Sequence, residues 1–256
     1  MSSPLTHRQA LRYNRQILLP GFDIDRQEAL ADSSALIVGM GGLGCACSQY
    51  LVSSGIGHIL IMDADTVDAS NLPRQVLFDE QQVGELKVVA ARQVLNRLNP
   101  DCQIDCLNHA FTEASITTLP DNLDIIIDCT DNLNSRQLLN RLSLERAIPL
   151  VSAAAIRMEG QLSSYIPGDS NPCYECVSSL FGELELSCVE NGVMAPVVGI
   201  MGNMQALEAI KILTGFGQPL CGKLQTYDAM TGEWNQFTLP KRPDCPACGT
   251  KKITTS

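Results

Sequence analysis

Apolar positions recur along this chain in a fixed rhythm from residue 33 onward. Ala35-Leu-Ile-Val-Gly39 is a short apolar run closed by glycine, Cys45 to Ser54 has a helical distribution, and His58 to Asp63 is again short and apolar. These three segments predict one βαβ unit. A helix over Glu85 to Leu98, stopped by Asn99-Pro100, a strand near Gln103 to Leu107 and an apolar strand over Leu123 to Cys129 continue the alternation. Strands separated by helices in this way predict a parallel sheet. Ahead of the sheet, Thr6 opens a helical segment through Gln16, and Asp25 to Ala31 reads as a second short helix, giving an N-terminal helical arm.

Past a further helix over Asn132 to Arg146 the pattern changes. Pro149 to Ile156 and Gly160 to Ile166 are two strands with only a turn between them, so the sheet is expected to become mixed. Residues 168 to 195 lack periodicity and read as a crossover or lid. Pro196 to Leu213 is a helix apolar on nearly every side, which must be covered on most faces by the core or by another subunit. Strands over Lys223 to Asp228 and Trp234 to Leu239 follow. The expected fold class is α/β, a Rossmann-like mixed but mainly parallel sheet flanked by helices.

Composition adds exclusions. At 256 residues the chain suits one hydrophobic core, and a net charge of −10 is a poor start for a nucleic-acid partner, which needs a positive face. The N-terminus lacks the apolar stretch of a signal peptide and no run is long enough for a membrane span, so a cytoplasmic protein with no membrane partner is expected.

Gly39-Met-Gly41-Gly42-Leu-Gly44 follows a predicted strand and opens a predicted helix, the context in which such a loop brings amide N–H groups and a helix N-terminus to a phosphate. A purely structural turn is the alternative. Asp63 ends the next strand, where a nucleotide-binding fold places an acid for ribose hydroxyls. The following loop, Asp63-Ala-Asp65-Thr-Val-Asp68-Ala-Ser70-Asn71-Leu72-Pro73-Arg74-Gln75, mixes acids, amides and a guanidinium in a way that polyphosphate handling explains better than a dehydrogenase does. Arg74 and Lys87 would neutralise a triphosphate, and Asp131 beyond the strand Ile125 to Cys129 would hold Mg²⁺. Arg74 and Lys87 also read as solvated surface charges, and Asp131-Asn132 as a helix cap.

Cys173-Tyr-Glu-Cys176 and Cys245-Pro-Ala-Cys248 are two short knuckles whose four thiolates fit a closed, structural Zn²⁺ site. A redox pair is the rival reading for either motif alone. Cys45, Cys47, Cys102, Cys106, Cys129 and Cys221 read as small buried hydrophobes, and Cys188 as non-catalytic, since no cation lies near it in sequence. His7, His58 and His109 show no spacing for a metal or a triad.

Arg12-Tyr-Asn-Arg15-Gln16, the glycine loop, Ser70-Asn71-Leu72 with Arg74-Gln75, Asp128-Cys-Thr-Asp131-Asn132, the two cysteine knuckles and Met194-Ala-Pro196 together resemble the ThiF/MoeB/HesA family of ubiquitin-activating-like adenylyltransferases. Gly21-Phe-Asp23, Ile156-Arg-Met-Glu-Gly160-Gln161 and Phe181-Gly-Glu183 look most like the branch acting on the molybdopterin-synthase carrier, with the thiamine-pathway branch as alternative.

The resemblance implies a homodimer that uses ATP with Mg²⁺ to adenylate the C-terminal glycine of a small ubiquitin-like sulfur-carrier protein ending in Gly-Gly (MoaD-like), in molybdenum cofactor biosynthesis. By that likeness Gly42, Asp63, Asp65, Ser70, Asn71, Leu72, Pro73, Arg74, Gln75, Lys87, Asp131 and Asn132 surround the nucleotide, and Arg15 reaches across the dimer. Arg15, Arg74, Lys87 and Asp131 are the implied catalytic set. It also implies one domain over residues 1–256, with an arm (1–32), a nucleotide half (33–150) and a carrier and zinc half (151–250). Pro73 departs from the family pattern, removing a backbone donor where the family usually carries Gln. A residue matching Cys188 is covalently linked to the carrier in the thiamine branch and dispensable in the other. From other classes, a nicotinamide oxidoreductase is supported by the glycine loop and Asp63 alone, and a non-catalytic scaffold is opposed by the intact charged set.

Overall fold

The computed structural model describes residues 4–181 and 192–249. Among the described residues eight strands form one sheet: β1 (Ser34–Val38), β2 (His58–Met62), β3 (Gln103–Leu107), β4 (Ile125–Asp128), β5 (Leu150–Ile156), β6 (Glu159–Tyr165), β7 (Lys223–Asp228) and β8 (Glu233–Thr238), in the order β3-β2-β1-β4-β5-β6-β7-β8. The first five run parallel and the last three pair antiparallel, so the expected mixed sheet is present. The strand order reverses direction between β1 and β4, and a crevice opens outside the C-terminal ends of two strands at such a switch point.

β1 and β4 are buried at every position, as required of strands covered by helices on both faces. On one face α4 (Gly42–Ser54), α5 (Lys87–Leu98) and α9 (Ala195–Thr214) bury Ile37, Ile59, Leu51, Leu95 and Met201 in the larger core. On the other, α6 (Glu113–Thr118), α7 (Leu133–Arg146) and α8 (Tyr174–Phe181) cover Leu36, Leu60 and Ile126. The apolar helix α9 is thus a core helix, lying against α4, β5 and β6, although Leu207 on it is exposed. Among the described residues no helix is long and apolar enough to cross a membrane.

The arm forms α1 (His7–Arg12), α2 (Asn14–Ile17) and α3 (Asp23–Ala31). The single helix expected from Thr6 to Gln16 is broken at Tyr13, because that ring is buried and its hydroxyl accepts a hydrogen bond from Asn99 Nδ2 at 2.8 Å. Residues 168 to 181, expected to be irregular, contain α8, which starts directly after Cys173 and packs on α7. Cys188 lies outside the described residues.

Candidate active site

Three loops leave the C-terminal ends of β1, β2 and β4 and meet at the switch point. In the first, Gly39 has φ +95°, and a Cβ there would lie 2.6 Å from the carbonyl oxygen of Cys129. A side chain would separate the β1 and β4 loops. Gly42 begins α4 and is equally confined, since a Cβ would meet Val198 Cγ1 at 2.5 Å and the Arg74 carbonyl oxygen at 2.9 Å. Among the described residues no side chain caps this helix start, leaving first-turn N–H groups available to an anion.

The β2 loop is tied to the glycine loop by Asp63. Its Oδ2 accepts from Met40 N at 2.6 Å and its Oδ1 from Asp65 N at 2.8 Å. Burial pushes the Asp63 carboxyl above its ordinary range, against the pull of the Asp65 and Met40 N–H groups and the Lys87 ammonium. Lys87 starts α5 with its side chain buried, and its Nζ lies 2.8 Å from Asp65 Oδ2, so it is a fixed charge beneath the loop, not a solvated one.

Further along, Asp68 caps a 3-10 turn over Ala69–Asn71 by accepting from Ser70 N at 2.8 Å. Arg74 folds back over this turn, donating to the Ser70 carbonyl at 3.1 Å and to Asn71 Oδ1 at 2.8 Å. Leu72 packs against the core and Pro73 is exposed. The Asn71 carbonyl accepts from both Arg74 N and Gln75 N, so the turn is complete without an N–H at Pro73. Gln75 is buried beside Gly41, and its Oε1 has no hydrogen-bond partner among the described residues.

Beyond β4, Asn132 caps α7 by accepting from Ser135 N at 2.9 Å, and Asp131 is exposed. The β4 terminus itself carries a group that sequence reading passed over as a site. Asp128 is 1% exposed, and its carboxylate accepts from Thr130 and Ser152. An acid closing the apolar run Ile125-Ile-Ile was the available signal.

The structure does not bring Arg15 to this crevice. It lies exposed on α2, whose neighbour Gln16 donates to the Ser54 carbonyl at the far end of α4. The thirteen residues of α4 separate that end from the glycine loop, a span of about 20 Å.

The four paired cysteines do converge. Sγ separations are 4.0 Å for Cys173 to Cys176, 3.8 Å for Cys173 to Cys245 and 3.5 Å for Cys176 to Cys248. Tetrahedral thiolates around one Zn²⁺ stand about 3.8 Å apart, so the group could hold a metal ion. Asn140 Nδ2 lies 3.6 Å from Cys173 Sγ, and Arg242 N donates to Cys176 Sγ at 3.5 Å. Burial alone would raise the Cys176 thiol, but the Arg242 N–H and neighbouring donors hold it below the ordinary range. Cys45 and Cys102, by contrast, are pushed up to about 12 by burial, as inert core thiols should be.

The ThiF family pattern matches residues 13–247. The chain belongs to the ThiF family. As a ThiF-family chain it is similar to the molybdopterin-synthase adenylyltransferase of Escherichia coli K12, with 51% identity over 245 residues, covering 96% of this chain and 98% of that protein. It is also similar to the sulfur carrier protein ThiS adenylyltransferase of the same organism, with 38% identity over 96% of this chain and 97% of that one. Among solved structures, E. coli MccB with MccA has a TM-score of 0.83 and 25% identity over 93% of this chain and 74% of that chain.

Proposed function

We propose that this chain is an adenylyltransferase that activates the C-terminal glycine of a small sulfur-carrier protein of molybdopterin synthase, converting ATP and the glycine carboxylate to an acyl adenylate and pyrophosphate. The observation that carries this reading is the meeting of the β1, β2 and β4 loops, where Asp63 ties to Met40 N, Gly39 lies against the Cys129 carbonyl and Gly42 against the Arg74 carbonyl, since these loops carry the uncapped α4 start, Arg74 and Asp131, with Lys87 tied to the β2 loop through Asp65. Near full-length likeness to a molybdopterin-synthase adenylyltransferase at 51% identity favours that carrier over the thiamine-pathway one, at 38%.

The glycine carboxylate is ionised at neutral pH, so no general base is needed. The barrier is the approach of one anion to the α-phosphorus of another and the departure of pyrophosphate, and fixed cations lower both. Asp63 receives ribose hydroxyls. Gln75 Oε1, a buried acceptor without a partner among the described residues, is available to a nucleotide hydroxyl. Lys87 and Arg74 neutralise phosphate oxygens, and Asn71 orients them. Asp131, whose carboxylate makes no hydrogen bond or ion pair among the described residues and faces solvent, suits an oxygen-coordinated cation, and with Asn132 would hold Mg²⁺. Bound there, Mg²⁺ would neutralise phosphate charge.

Arg15 cannot complete its own crevice from the opposite end of α4, which supports a homodimer in which it enters the neighbour's site as an arginine finger does. Exposed Tyr50 on α4 and Leu207 on α9 supply apolar surface for that association. The four-cysteine cluster, with sulfur separations matching a tetrahedron and N–H donors to its sulfurs, fits one structural Zn²⁺ joining the start of α8 to the C-terminal knuckle.

Calorimetric titration with ATP and Mg²⁺ and, separately, with NAD tests the nucleotide assignment. Saturable ATP binding with NAD at least tenfold weaker is expected; preference for NAD would reverse the assignment.

A further inference from the structure

The loop carrying Asp131 is fastened on both sides of that residue. On the near side, Asp128 Oδ1 accepts from Thr130 N at 3.0 Å and Thr130 Oγ1 at 2.6 Å, while Oδ2 accepts from Ser152 Oγ at 2.6 Å. The Arg136 guanidinium, 3.9 Å from Oδ2 at Nε, donates through Nη2 to the carbonyls of Thr130 at 2.8 Å and Ala153 at 3.3 Å. Gln205 of α9 donates to the Asp128 carbonyl at 2.7 Å, and Val198 of the same helix closes over Gly42. On the far side, Asn132 caps α7. Asp131 itself makes no side-chain bond among the described residues, so its position is set by this backbone alone.

We propose that Asp128 is a positioning residue: its buried carboxylate locks the turn from Cys129 to Asn132 against β5, so that Asp131 is presented to the metal-nucleotide at a fixed place beside the glycine loop. A buried carboxylate is costly unless its oxygens are used. Three of its hydrogen bonds go to Thr130 and Ser152, and the Thr130 pair lies within this turn. A carboxylate needed only to anchor β4 in the sheet would have no use for Thr130. The Cys129 carbonyl lies so close to Gly39 that the same lock sets the spacing of the two loops.

The inference rests on Asp131 holding the divalent ion, and the test separates the two. ATP affinity of the full-length protein is measured by calorimetry in chelator and again with Mn²⁺, and the ratio of the two is the metal enhancement. Asp131→Asn should abolish the enhancement without lowering metal-free affinity. Asp128→Asn, which keeps shape but weakens the lock, should reduce the enhancement about tenfold, also without changing metal-free affinity. Ser152→Ala, a milder cut for use should Asp128→Asn misfold, should reduce it about threefold. Unchanged enhancement in Asp131→Asn would overturn both readings. Loss in Asp131→Asn with full enhancement in Asp128→Asn or Ser152→Ala, or an equal fall of metal-free and metal-bound affinity, would overturn the positioning role alone.

Discussion

Lys87 and Asp65 are joined twice, by Nζ to Oδ2 at 2.8 Å and by Lys87 N to the Asp65 carbonyl oxygen at 2.9 Å. The side-chain partner is mostly exposed while the lysine is buried, so the ammonium is held beneath a loop that solvent reaches from the other side. Such a charge is already in place when phosphate arrives. Replacing Lys87 by Ala is expected to slow pyrophosphate exchange by roughly 10²–10³-fold, the loss typical of one preorganised charge-stabilising donor. Arg should not restore it, because a planar fork does not fit a slot built for a compact ammonium. Steady-state exchange rates of the two variants check this; normal activity of Lys87→Ala would remove the residue from the phosphate site.

Asp63 sets an acid limit on nucleotide binding. Its carboxyl is raised above the ordinary aspartate value mainly by burial, and only the ionised form accepts fully from ribose hydroxyls. ATP affinity should be complete above this raised value and decline as pH falls through it, starting at higher pH than an ordinary aspartate would allow. The sign for folding is opposite: raising the carboxyl favours the folded state below the unfolded value, and that contribution is lost as pH rises through the folded one. Calorimetric ATP titrations across mildly acid pH should show the decline, and Asp63→Asn should bind more weakly with that dependence flattened.

The cysteine cluster should bind one Zn²⁺ per chain by metal analysis of purified protein. Cys176→Ser or prolonged chelation is expected to lower the melting temperature, because the ion would join the start of α8 to the C-terminal knuckle. Asp131→Ala should retain zinc in full. Protein free of zinc yet unchanged in melting would contradict the structural role.

An arginine supplied by a neighbour has a distinctive consequence. Arg15→Ala and Asp131→Ala are each expected to be inactive, yet mixing them should restore activity, since a mixed dimer holds one intact crevice. Random exchange of subunits places about one quarter of all sites in that state. Recovery near that level is expected after co-refolding or co-expression, and no recovery would place Arg15 outside the neighbouring site.

The strands with buried faces and the glycine loop were legible because apolar runs and glycine spacing follow from local physics. Thus β1, β2 and β4 lie within a residue or two of expectation, and Gly39 ends β1 because its positive φ cannot extend a strand. Other features were set by distant partners. Tyr13 breaks the first helix for a bond to Asn99, eighty-six residues away, and α8 follows the knuckle geometry of Cys173 rather than any long periodic pattern. The helix α6 is only six residues long and is opened by a Thr112 and Ser115 capping pair, too short a signal to stand out from a loop. At the site, the charged loop residues were visible as a list, but the burial of Lys87, the lock at Asp128 and the remoteness of Arg15 from its own crevice depend on tertiary packing.

The most direct measurement is isotope exchange between pyrophosphate and ATP in the presence of the purified sulfur carrier. Exchange should require a carrier with its terminal Gly-Gly intact, vanish when that tail is removed, and vanish again with Asp131→Ala despite intact zinc. Exchange that proceeds without the carrier's terminal glycine, or at near-normal rate with Asp131→Ala, would contradict adenylation of that carboxylate at this crevice.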